Sequence, residues 1–204
     1  MGKRSNFDRI ERDFYPTPEA GFLPLVPHLP NKKFYYTEPC AGDGALVKWI
    51  TKHTKGVGMT YSDIVPKQNW IQQKDMFRVS IPPTGRPSFV ITNPPWNRKL
   101  LHPMIDHFAL QCPTWLLFDA DWPHTKQSQP YMDWLVKIVS VGRLKWIPDS
   151  KMTGKDNCCW YLFDATKLKD ISFSYIITGS SNALSYNSNI ISLAEKCMLI
   201  RHNY

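Results

Sequence analysis

A run of strand-forming residues at 89–92 ends abruptly in Asn93, Pro94, Pro95 and Trp96. Two adjacent prolines can extend neither a strand ladder nor a helix, so they hold the chain in a stiff, extended turn. In such a turn the Asn93 side-chain carbonyl and the Pro94 backbone carbonyl can both accept hydrogen bonds from one amino group. That pairing selects an NH2 attached to a planar system, and Trp96 offers a flat surface on which the planar system can stack. The prolines keep both acceptors rigid.

A second cluster precedes it. Residues 34–37 read as a strand that runs into Glu38, Pro39, Cys40, Ala41, Gly42, Asp43 and Gly44, with a helix expected over 45–53. Glycines at a strand-to-helix turn let the backbone approach a ligand closely, and the helix start presents free N–H groups. The third glycine of a dinucleotide fingerprint is missing, however, and Asp43 would repel a pyrophosphate, which argues against nicotinamide and flavin cofactors. A ligand with a nucleoside, no phosphate and a positive charge suits Glu38 and Asp43 better, and S-adenosylmethionine is such a ligand. Asp63, at the end of the strand expected over 57–62, stands where ribose hydroxyls are held in open α/β sheets. Asp75, Met76 and Phe77 follow, placed to contact the adenine ring. The alternative for Asp63 and Asp75 is that of solvated turn residues.

Positioning these groups requires a sheet. Short apolar runs alternate with helix-like segments: strands at 34–37, 57–62, 89–92 and 114–118, and helices at 45–53 and 100–110. This alternation implies βαβ units and a mostly parallel sheet, whose ligand crevice lies beyond the carboxyl ends of the strands. After a helix expected over 131–137, strands at 138–147 and 158–163 are joined by a link too short for a crossover helix, so they are expected to be antiparallel. At the beginning, Thr17 reads as a helix cap with Pro18 at the first helical position, and Pro24 and Pro27 limit that helix to a short, kinked element.

Composition narrows the partners. The chain of 204 residues carries a formal charge of +8 with a pI near 9.2, which favours a polyanionic partner or an acidic substrate. No apolar run reaches the length of a membrane span and the N-terminus lacks a signal-peptide core, so no membrane association and a cytoplasmic location are expected. Asn6 stands where a myristoylation signal has Ser or Thr. Five cysteines without metal-ligand spacing are read as reduced thiols, and no metal is expected.

Taken in order, FYPTPEA, EPCAGDGA, YSDI, KDMF and NPPW resemble the amino-methyltransferases of the Rossmann-like S-adenosylmethionine-dependent superfamily. The likeness is strongest to DNA adenine-N6 methyltransferases and their small phage-encoded relatives. The resemblance implies a three-layer α/β fold with a mostly parallel seven-stranded sheet whose final strand is antiparallel. It implies S-adenosylmethionine as cofactor, with Tyr15, Thr17 and Pro18 touching its methionine end, Glu38, Pro39, Ala41, Gly42 and Gly44 forming its loop, and Asp63, Asp75 and Met76 holding ribose and adenine. Asn93, Pro94, Pro95 and Trp96 would hold the target amine, with Asn93 and Pro94 accepting hydrogen bonds from its N–H groups as the nitrogen attacks the sulfonium methyl. NPP followed by an aromatic also occurs in enzymes that methylate the glutamine amide of proteins. A non-catalytic subunit that binds the cofactor would need a damaged motif, and NPPW is intact.

The organisation expected is an N-terminal tail at 1–13, a methyltransferase domain at 14–166 and an extension at 167–204. DNA enzymes with this motif order usually carry a large target-recognition domain after the core, whereas 38 residues follow Thr166 here, so DNA is the expected partner with little sequence selectivity. Asp121, Trp122 and His124 could line the substrate pocket after the fifth strand. Lys151 and Lys155, on the link between the last two strands, could meet phosphates, although that link can equally be an ordinary hairpin loop. The oligomeric state is left open.

Overall fold

The computed structural model describes residues 14–82, 87–147 and 154–166. A short helix α1 (Glu19–Phe22) passes into a 3-10 turn at Leu23–His28, because Pro24 and Pro27 remove the N–H groups that a longer α-helix requires. Then follow β1 (Phe34–Glu38), α2 (Ala45–His53), β2 (Gly56–Asp63), the two-residue β3 (Gln72–Gln73), β4 (Ser88–Thr92), α3 (Arg98–Ala109), β5 (Thr114–Asp119), β6 (Leu135–Arg143) and β7 (Asn157–Phe163). Contacts divide the chain into two compact units at Ala165 and Thr166, and all these elements belong to the first.

The seven strands form one sheet in the order β3-β2-β1-β4-β5-β7-β6. β1, β2, β3, β4 and β5 run parallel, while β7 is antiparallel to both β5 and β6. This is the Rossmann-like methyltransferase arrangement expected from the sequence. β5 is buried along Thr114 to Phe118, as a central strand covered on both faces must be. β6 at the sheet edge leaves Val136 and Ile138 exposed. Strand order reverses between β1 and β4, so the crevice of this sheet opens where Glu38 and Asn93 leave their strands.

Three boundaries differ from expectation. Thr17 is not a cap: Pro18 takes that position with no side-chain bond, and Thr17 is buried. The helix expected over 131–137 is replaced by a 3-10 segment, Lys126–Trp134, interrupted by Pro130, and β6 already begins at Leu135. Val136, which falls within that expected helix, instead shares with Ile138 one outward face of a strand of period two. β6 also stops at Arg143, before Ile147, where it has reached Asn157 at the start of β7, and its register slips between Ser140 and Gly142, where Gly142 adopts a positive φ of 87°.

The core is aromatic. Phe22, Phe34, Tyr36, Trp115 and Trp160 are buried together with Leu25, Ile50 and Leu117. On its other side Phe118 stacks on Tyr161 at 4.2 Å, with Trp122 edge-on to both. The cysteines among the described residues, Cys40, Cys112, Cys158 and Cys159, are free. No helix among the described residues is long and apolar enough to cross a membrane.

One buried bond ties the N-terminal segment to the sheet: the Trp160 indole N–H donates to the Gly21 carbonyl at 2.8 Å. Trp160→Phe leaves that carbonyl without its donor and opens space in the core, so a loss of about 1–3 kcal/mol in urea unfolding is expected. Unchanged stability would show that α1 does not depend on this tie.

Candidate active site

The cavity is built around Glu38. As the last residue of β1 it is fully buried, and its Oε1 accepts the Thr92 hydroxyl from the end of β4 and the Cys40 N–H at 3.2 Å. Its Oε2, although buried, has no partner among the described residues. Burial pushes this carboxyl up to about 8, nearby Asp63 adds to the rise, and the Thr92 and Cys40 bonds oppose it. An orphaned oxygen on a buried carboxyl that lines a cavity is a place for a cationic donor.

The glycine loop leans on Asp63. Its Oδ2 accepts the Gly42 N–H and its Oδ1 the Val65 N–H, both at 2.8 Å, so the carboxylate clamps the loop of β1 to the end of β2. Each oxygen keeps a lone pair for a hydroxyl. Asp43 is used locally, accepting the Ala45 N–H at 3.0 Å where α2 begins. Asp75 accepts the Phe77 N–H at 2.9 Å and so starts the short 3-10 turn Met76–Arg78.

These groups surround a cavity of about 750 Å³. From the expected cofactor set, Tyr15, Thr17, Glu38, Pro39 and Ala41 line it, as do Gly42, Asp63, Asp75 and Met76. Pro18 and Gly44 are not among its lining residues. Gly44 is needed for its backbone: φ is +85°, and a Cβ there would fall 2.5 Å from the Trp70 ring. Gly42, at φ +55°, carries the Phe14 ring directly against its backbone. Sequence reasoning missed Phe14, Ile64, Val65 and Lys67 as lining residues. Ile64 and Val65 are exposed apolar side chains immediately after an acidic strand end, and that juxtaposition was a usable signal.

The target motif forms the opposite wall. The Asn93 Nδ2 donates to the Tyr15 carbonyl at 3.1 Å, which leaves Oδ1 as the acceptor end, and Asn93 and Pro95 line the cavity. Pro94 is buried. The Trp96 indole N–H donates to the Leu117 carbonyl at 3.1 Å and lies 3.4 Å from Asn93 Oδ1. Its ring is therefore anchored through its N–H, and neither Pro94 nor Trp96 lines the cavity itself. Trp146, which follows β6, packs edge-on against Trp96 at 5.8 Å and contacts Tyr15 at 6.3 Å. This corner of three aromatic rings was not legible in the sequence, since Trp146 is far from both partners along the chain.

The remaining expected substrate residues fall elsewhere. Trp122 is a core residue, 1% exposed, whose indole N–H donates to His102 Nε2 at 3.0 Å. Asp121 and His124 are exposed at the two ends of the 3-10 turn Trp122–His124, and none of the three lines the cavity. Lys155 is exposed two residues before β7, and Lys151 lies outside the described residues. Among the described residues no group of three or more His, Cys, Asp or Glu could hold a metal.

Glu38 makes the ligand-free protein sensitive to pH. Its carboxyl titrates near 8 when folded and near 4.5 in an unperturbed chain, so between those values the folded state binds the extra proton. Stability is therefore expected to fall as pH rises from about 4.5 to about 8. Glu38→Gln removes this penalty, and its melting temperature should exceed that of the parent by a margin that widens over the same range. Parallel curves for the two proteins would show that Glu38 is not held protonated.

No protein-family model and no curated protein matches the chain. Among solved structures, a protein from Pyrococcus horikoshii described as an RNA methyltransferase is 16% identical, with 79% of this chain and 92% of that one aligned at a TM-score of 0.53. The 23S rRNA methyltransferase ErmE aligns over 87% of this chain and 81% of its own, at 12% identity and a TM-score of 0.48. A dimethyladenosine transferase from Plasmodium falciparum aligns over 74% and 62% at 14% identity and a TM-score of 0.45. At 16% identity the Pyrococcus horikoshii structure speaks for the fold alone, and together with the strand order it shows that the chain has a Rossmann-like methyltransferase fold.

Proposed function

We propose that the chain is a methyltransferase that transfers the methyl group of S-adenosylmethionine to the exocyclic N6 amine of adenine in DNA. The observation that carries this reading is the orientation of Asn93. With Nδ2 committed to the Tyr15 carbonyl, Oδ1 is the end available to an amine presented beside the cavity.

The cavity residues fit the cofactor. Glu38 Oε2 offers a buried acceptor to a cationic amino group, Asp63 offers lone pairs to ribose hydroxyls, and exposed Ile64 and Val65 offer apolar surface to an adenine ring. Bound there, the cofactor supplies an electrophilic methyl on a sulfonium. Asn93 Oδ1 and the Pro94 carbonyl would accept hydrogen bonds from the two N–H groups of the amine, countering delocalisation of its lone pair and drawing electron density onto nitrogen, and the one proton lost after transfer would pass to water. Positioning contributes the rest. A base inside a duplex cannot reach this turn, so the adenine must be flipped out or already single-stranded. The aromatic corner of Tyr15, Trp96 and Trp146 supplies apolar walls for it.

Without a recognition domain among the described residues, affinity for DNA would come chiefly from lysines and arginines meeting phosphates, Lys155 among them. Binding should then weaken with salt and vary little with sequence.

Labelled methyl groups offered from the cofactor to DNA, RNA and protein in parallel test the reading, with N6-methyladenine in DNA as the expected product. Label on RNA alone or on protein glutamine would move the substrate to another class. Asn93→Ala is expected to bind the cofactor within a few-fold of the parent while transfer falls by about two orders of magnitude, as for loss of one preorganised polar group. Equal loss of binding and transfer would show that Asn93 mainly holds the Tyr15 segment.

A further inference from the structure

The glycine loop of this cavity has almost no free donors. The Cys40 N–H goes to Glu38, Ala41 to the Ser62 carbonyl at 2.9 Å, Gly42 to Asp63, Gly44 to the Ala41 carbonyl at 2.7 Å and Ala45 to Asp43. A loop that cradles an anion does so with such N–H groups, and here they are spent on the protein. The charges lining the cavity reinforce this: beside the Glu38 carboxyl, Asp43, Asp63 and Asp75 stand against one cation among the described residues, Lys67. Phosphate is thus unwelcome. An amino-acid carboxylate entering the same cavity meets the same difficulty, because a carboxylate among carboxylates needs a positive partner or a set of free N–H groups.

Lys67 is held where it can be that partner. Its backbone N–H donates to the Gly42 carbonyl at 2.9 Å, fixing its Cα beside the loop. Its Nζ lies 5.5 Å from the centroid of Phe14, the ring that packs on Gly42. No acidic side chain among the described residues forms an ion pair with it, so its charge is uncommitted. On the reading of the cavity as an S-adenosylmethionine site, we propose that Lys67, steadied over Phe14, is the counter-ion of the cofactor's carboxylate, while Glu38 faces its ammonium. The two ends of the amino-acid moiety are then sorted by charge. Thr17, a buried neutral hydroxyl residue on the wall that continues from Phe14, adds a donor without charge.

The carboxylate can be removed from the ligand as readily as the ammonium can be removed from the protein, which allows both to be varied together. Titration calorimetry with S-adenosylmethionine and with its decarboxylated analogue, which keeps the nucleoside, sulfonium and ammonium, is done on the parent and on Lys67→Met. Because Lys67 is exposed, the expected loss for S-adenosylmethionine on Lys67→Met is about three- to fivefold. The decarboxylated analogue should bind the two proteins equally, and Lys67→Arg should restore most of the affinity for S-adenosylmethionine. An equal loss for both ligands would mean that Lys67 acts by holding Phe14 and the loop, and no loss for either would mean that it faces solvent or nucleic acid; both results overturn the assignment. Should the parent bind neither ligand, the cofactor reading itself falls, and the assignment with it.

Discussion

A carboxyl group with no exposure to water holds this site together. Glu38 joins β1, which ends in it, and the glycine loop that follows, whose Cys40 N–H donates to it, to the distant β4, whose Thr92 also donates to it. Such a group is costly to bury unless its charge is neutralised, either by a proton or by a cationic partner. The raised titration of Glu38 is the first solution, and a ligand bearing an ammonium is the second. On the proposed function, ligand binding would therefore release a proton at this residue, at the cost of a less stable ligand-free state at neutral pH.

Asn93 connects that cofactor half to the target half. Its amide nitrogen is tied to the Tyr15 carbonyl, on the N-terminal wall of the cavity, and its oxygen faces the Trp96 indole N–H. The N-terminal wall is in turn held by Trp49, whose indole N–H donates to the Thr17 carbonyl at 2.8 Å. One side chain thus ties the N-terminal wall of the cavity to the turn that carries Trp96. On the proposed function, a displaced N-terminal segment would turn the Asn93 acceptor away as well and so couple cofactor and target binding through a single rigid turn.

Residues whose placement beside the cavity depends on local spacing are readable from the sequence. Glu38, Gly42 and Asp63 each end a strand or occupy the turn after one, and a parallel sheet brings such ends together whatever the details. Asn93 was legible for the same reason, since the two prolines after it announce a rigid turn. Residues whose roles depend on tertiary contact were not. Trp122 looked like a pocket residue because it follows β5, yet its apolar bulk takes it into the core against Phe118. Trp146 reads as part of a strand, whereas it lies beyond the end of β6 and packs on Trp96. Gly44 was assigned to the ligand by its motif, whereas its positive φ and the Trp70 ring account for it. The start of β6 was misread because an outward strand face with apolar residues imitates a helical stripe over a few residues.

The structure of the chain with S-adenosylmethionine bound bears most directly on this account. It should place the cofactor ammonium within hydrogen-bond distance of Glu38 Oε2, the ribose hydroxyls on Asp63 and the sulfonium methyl toward Asn93. A cofactor bound outside the cavity, or one inside it with the methyl turned away from Asn93, would contradict the account.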